Sequence, residues 1–149
     1  MRGEIANRER AKQIRDFTKL KWNKNITPTD NDGFVDFGNK IFIDFELKLN
    51  GNDLPNGQKM AFERKTDALF DAGKIAYFLI AEHETPLEED IDCSQAKVIE
   101  CRYHKKWHQL SGKVTLKKTI DKILKKNGED WRIIEDAKIL VPNEVWDKL

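Results

Sequence analysis

The sequence predicts an α/β fold: a small mixed β-sheet flanked by helices, with a basic helix added toward the C-terminus. Three observations point to it. Residues 33–49 alternate with the two-residue period of strands. Residues 74–81 (Lys-Ile-Ala-Tyr-Phe-Leu-Ile-Ala) form an unbroken apolar run, as in a strand covered on both faces. Stretches before, between and after them run without proline at helical spacing.

Taken in order, residues 3–17 hold no glycine after the first position, and Ile5, Ala11, Ile14 and Phe17 give an incomplete apolar stripe, which predicts a first helix. Residues 25–32 are turn-rich. Gly33–Phe37 and Ile41–Leu49 then read as a hairpin closed by Gly38-Asn39-Lys40. A loop over 50–57 leads to a helix over about 58–72, ended by Gly73. The apolar strand follows, then an acidic loop over 82–95 and a strand over 96–103. Residues 115–126 read as a basic amphipathic helix, and 137–141 as a short strand. No repeat or clean linker interrupts the chain. The expected organisation is one domain over 1–149, with a core over about 3–103 and an elaboration over about 104–149.

Composition narrows the class. The 149 residues suffice to bury a real core, and charged residues make up 36% against about 25% in an average domain. No run approaches the roughly 18 apolar residues of a membrane span, and the N-terminus does not open as a signal peptide. Two cysteines are too few for a disulfide scaffold, so a reducing cytoplasm is the expected setting; size and style suggest that of a bacterial cell or a phage-infected host. Lys and Arg (27) nearly balance Asp and Glu (26), yet the charge is unevenly placed. Residues 1–24 carry eight Lys/Arg, including Arg8, Arg10, Lys12 and Arg15, against three acids. Residues 102–126 carry nine, including Lys105, Lys106, Lys117 and Lys118, against one. Residues 82–92 hold six acids and no Lys or Arg. A polyanion responds to such local fields rather than to the total, so the basic segments are candidate nucleic-acid contacts as well as ordinary solvated faces.

The chemistry concentrates in Pro28-Thr29-Asp30-Asn31-Asp32-Gly33 and Asp44-Phe45-Glu46-Leu47-Lys48. Glu46 and Lys48 share one strand face. If the turn takes residues 38–40, Asp32 lies opposite Glu46 and Asp30 opposite Lys48, and a slip of one residue would undo this. Two carboxylates and a lysine at one hairpin end are what metal-assisted phosphodiester hydrolysis needs. The carboxylates hold a hard divalent cation, Mg²⁺ or Mn²⁺, and the lysine steadies the nucleophile or offsets charge on the phosphate. The competing account is an exposed edge-strand face. Against it, apolar residues flank the charged pair on both faces, and charges beside a core are costly unless paired or metal-bound.

The order of helix, Pro- and Asp-containing loop, hairpin ending in Glu46-Leu47-Lys48, helix and apolar strand resembles the core of the PD-(D/E)XK nuclease superfamily. The resemblance covers roughly residues 3–82. It implies a restriction-endonuclease-like αβββαβ core and a metal-dependent DNA nuclease, either endonuclease or exonuclease. On this resemblance Asp32 is similar to the first metal-binding aspartate, with Asp30 and Asp36 as rivals, and Glu46 and Lys48 to the Glu-x-Lys. Gln58 resembles the glutamine that many members place near the lysine. Glu9 is similar to the first-helix glutamate of resolvase-like members. The usual Pro-Asp dipeptide is absent, because Thr29 and Asn31 intervene. The run from Gly57 to Arg64 is also similar to small phage-encoded nucleases of this type. The implied partner is DNA, and a homodimer would let two such sites cut both strands. The runner-up from another class is a nucleic-acid-binding or protein-interaction module on the same scaffold without turnover.

Cys93, Cys101, His104 and His108 read as Cys-x7-Cys-x2-His-x3-His, too loose between the cysteines for an ordinary zinc site, and a buried cysteine with surface histidines competes with it. Tyr103, Trp107 and His108 among Arg102, Lys105 and Lys106 would suit base stacking, or equally a core rim.

Overall fold

Alternating large apolar residues build a hairpin from β1 (Gly33–Phe37) and β2 (Ile41–Leu49) in the computed structural model, which describes residues 16–23, 26–128, 131–132 and 141–142. Gly38 and Asn39 turn the chain with φ of 62° and 60°, the left-handed pair that a tight hairpin turn needs. Gly33 faces Phe45 and Phe37 faces Ile41, the register expected from the turn. Gly33 also meets a second demand, since a Cβ there would overlap the Phe45 ring.

Helix α1 (Asn56–Asp71) carries the chain over to β3 (Ile75–His83), which pairs parallel with β2. A 3₁₀ turn (Cys93–Gln95) precedes β4 (Lys97–Tyr103), and β5 (Lys106–Gln109) closes the sheet. The order is β1-β2-β3-β4-β5, antiparallel except at β2–β3. The described chain thus contains a small mixed sheet with helices, as expected. Two described strands, not three, precede α1.

The described residues fall into two units, 29–120 and a second drawn from 1–28 and 121–149. In the second, the described residues include a bridge between Trp22 and Ile26 and a two-stranded ladder of β6 (Trp131–Arg132) with β7 (Val141–Pro142). Helix α2 (Leu116–Lys126) begins in the first unit and ends in the second. The helix expected over 3–17 lies outside the described residues except for Asp16 and Phe17, which are not helical. Most of the strand expected over 137–141 lies outside them as well. No helix among the described residues is long and apolar enough to cross a membrane.

Within the 29–120 unit, α1 covers one sheet face. Phe62 stacks on Phe78 at 4.7 Å, and both are buried with Ile80. Ion pairs join helix to sheet around this core: Arg102 grips Asp67 through two hydrogen bonds of 3.0 and 2.6 Å, and Lys65 meets Asp44 at 2.9 Å. Asp44 is 1% exposed and also accepts from Asn31 Nδ2 at 2.7 Å, so its carboxylate enters the core with its hydrogen bonds made. On the opposite face Ile41, Ile43, Tyr77, Leu79, Ala81, Val98 and Cys101 are buried, which explains the continuous apolar character of β3.

Candidate active site

Antiparallel β1–β2 and parallel β2–β3 bring the start of β1 and the ends of β2 and β3 to one edge of the sheet. The antiparallel pairing of β4 adds Lys97 beside Glu82. Asp32 stands one residue before β1, opposite Glu46. Its amide donates to Glu46 Oε1 at 3.1 Å, and its own Oδ2 accepts from the Leu47 amide at 2.8 Å. The two carboxylates are thereby held together at the open end of the hairpin. Glu46 is only 3% exposed. Burial first, then the hydrogen bond and charge of Asp32, push its carboxyl up to about 8, and the Asp30 charge adds to this. Glu46 therefore carries a proton at neutral pH beside an exposed aspartate.

Lys48 follows two residues on, on the same face. Its Nζ lies 3.4 Å from Glu82 Oε1, not opposite Asp30 as expected, because the parallel ladder seats Glu82 directly beside it. Glu82 is the site residue that sequence reasoning missed, having assigned it to the acidic loop. Asp30 is tied instead to the helix, its carbonyl accepting from Gln58 Nε2 at 3.3 Å. Gln58 thus anchors the loop before β1. Asp36 sits at the far end of β1, opposite Phe42, where its Oδ1 caps the Asn39 amide at 2.7 Å. It is a turn residue, which removes it as a rival to Asp32.

A pocket of about 260 Å³ opens beside Lys48, bounded also by Lys59, Glu100, Asp53, Asn56 and Ile80. A larger cavity of about 600 Å³ touches Glu82 and is rimmed by Glu84, Glu89, Asp90 and Asp92. Burial, followed by the charges of Asp32 and Asp92, raises the Cys93 thiol above its ordinary value and keeps it protonated beside these acids.

The candidate nucleic-acid contacts separate. Lys105 and Lys106 lie at the β4–β5 turn, at the opposite end of β4 from Lys97, and Lys105 pairs with Asp71 at 2.6 Å. Lys117 and Lys118 are exposed at the start of α2, which hydrogen-bonds to Ala96 through the Leu116 amide, so they share the end of the sheet with Glu46. Glu9, Arg8, Arg10, Lys12 and Arg15 lie outside the described residues. Cys93 precedes β4 and His104 follows it, so a strand roughly 20 Å long at the usual rise separates those two residues of the zinc spacing, while Cys101 within β4 faces His108 on β5. Tyr103 stacks on Tyr77 at 4.1 Å and Trp107 packs against the Phe78 core, which assigns both rings to packing.

Among the described residues no three His, Cys, Asp or Glu side chains form a ready metal group. The Asp32–Glu46 pair nonetheless has the right donor chemistry. Mg²⁺ is commonly held by one or two carboxylates, with water and substrate phosphate completing its shell. Two carboxyl oxygens that hold a proton between them can exchange it for a hard cation. Comparison with family models, curated proteins and solved structures returns no match.

Proposed function

We propose that the chain is a divalent-metal-dependent deoxyribonuclease that hydrolyses phosphodiester bonds at the Asp32–Glu46–Lys48 end of the hairpin. One observation carries this reading: a buried glutamate with its carboxyl pushed up to about 8, clasped to an exposed aspartate and followed on the same face by a lysine that borders a pocket. The order of elements and the Glu-x-Lys resemble PD-(D/E)XK nucleases and support the same reading.

Asp32 and Glu46 would hold Mg²⁺ or Mn²⁺, which when bound polarises the phosphate and lowers the pKa of an attacking water. Glu46 would give up its proton on becoming a ligand. Glu82 Oε1 lies 3.4 Å from Lys48 Nζ and restrains it, and the lysine has further N–H donors for the nucleophile or a phosphate oxygen. Gln58 fixes the loop that carries Asp30 and Asp32.

The test is cleavage of plasmid and of labelled single-stranded DNA with Mg²⁺, Mn²⁺ or EDTA, comparing wild type with Glu46→Gln and Lys48→Ala. Metal-dependent cleavage that falls by about 10² or more in both folded variants supports the reading. Cleavage that ignores EDTA, or that persists equally in the variants, overturns it. DNA binding without turnover, responding only to salt, would identify a binding module instead.

A further inference from the structure

The pocket beside Lys48 contains a second lysine. Lys59 comes from the first turn of α1, whereas Lys48 comes from the end of β2, and both border the same space of about 260 Å³. We propose that Lys59 is a second phosphate-contacting lysine, which with Lys48 holds a backbone phosphate of a nucleic-acid strand in this pocket. The inference rests on the hydrolase reading of Asp32, Glu46 and Lys48, and deepens it by naming how the substrate is gripped.

The surroundings of Lys59 fix its ammonium without enclosing it. Nζ lies 2.8 Å from Glu100 Oε1 and 4.4 Å from the centre of the Trp107 ring. An ion pair and a ring face restrict the rotamers of a long side chain that would otherwise lose much entropy on binding. The side chain remains 31% exposed, so solvent and substrate reach it. Glu100 is placed by the β3–β4 ladder, which runs in one register from Phe78 opposite Arg102 to Ile80 opposite Glu100 and puts Glu100 on the same sheet face as Arg102 and Ile80. The register shifts just beyond, where Ala81 faces Val98.

The other helix-to-sheet cations do not share this setting. Lys65 pairs with nearly inaccessible Asp44, and Arg102 is spent on Asp67 and Glu63. Neither borders the pocket. An ammonium has three donors, so Lys59 can keep Glu100 and still donate to a phosphate oxygen. The acid rim beyond Glu82 repels phosphates, which steers a strand away from that cavity and toward Lys59.

The experiment measures binding of a labelled single-stranded oligonucleotide, and of a duplex of equal length, to full-length Glu46→Gln across a salt series. The same background then carries Lys59→Ala or Lys59→Arg. The expected result is a loss of affinity of about ten-fold in Lys59→Ala, a salt slope lower by about one, and recovery in Lys59→Arg. In otherwise wild-type enzyme, Lys59→Ala should raise KM and leave the pH profile of kcat in place. Unchanged affinity and slope, a loss that arginine does not restore, or no binding by the Glu46→Gln parent would overturn the proposal. Failure of wild type to cleave with metal overturns the hydrolase reading separately, because the salt slope still judges Lys59.

Discussion

Asp32 and Glu46 are bound to each other twice over: the Asp32 amide reaches the Glu46 carboxyl, and the Asp32 carboxylate reaches the amide next to Glu46. Neither residue can move along the ladder without releasing the other. The acid pair is therefore a product of hairpin register, and its chemistry depends on burial that the hairpin and α1 create together.

That burial makes metal-free stability depend on pH. Glu46 has its folded carboxyl raised from 4.5 to about 8, so between these values the folded state holds a proton that the unfolded state has lost. Stability is greatest near or below pH 4.5 as far as this group is concerned, falls as pH rises toward 8, and levels off above it. Glu46→Gln should flatten the slope and raise the melting temperature at pH 8, as read by thermal scans in EDTA at several pH values.

Metal binding should follow the same proton. A cation that takes the Glu46 oxygens displaces it, so Mg²⁺ or Mn²⁺ affinity should rise with pH up to about 8 and then plateau. Titration calorimetry in buffers of different ionisation enthalpy at pH 7 should show close to one proton released per metal bound. No proton release would separate the metal from Glu46.

The aspartates should sort by position. Asp32→Asn should abolish metal-dependent turnover, since it removes a carboxylate from the pair. Asp36→Ala should leave turnover intact and cost about 1 kcal/mol through the turn it caps. Parallel cleavage assays and urea melts separate the two outcomes.

Gly33→Ala should destabilise by about 1–3 kcal/mol, because the new methyl must displace the Phe45 ring. It should also depress turnover beyond what instability explains, since Gly33 adjoins Asp32. Urea denaturation alongside cleavage by the folded fraction tests both.

Much of this site could be read from local chemistry. The Gly38-Asn39 turn sets the β1–β2 register, and with it the meeting of Asp32 and Glu46. Partners reached across longer spans could not be read in this way. Glu82 meets Lys48 through a parallel crossover, whose register no tight turn encodes. Glu100 reaches the pocket through the β3–β4 pairing, which spans the acidic loop over 84–92 and which no tight turn encodes. Strand β5 escaped notice because its turn places His104 and Lys105, not glycine or asparagine, at φ of 49° and 61°.

The parallel β2–β3 ladder also orders events in time. The acid pair forms within a hairpin of short sequence separation, whereas the counter-charge of Lys48 arrives only after helix α1 has folded across and β3 has docked. Local contacts form ahead of those that close long loops. A nascent chain that stops short of β3 therefore owns both carboxylates and the lysine, yet has nothing to aim that lysine. On the proposed reading, the site is complete only once the sheet is assembled as far as its third strand.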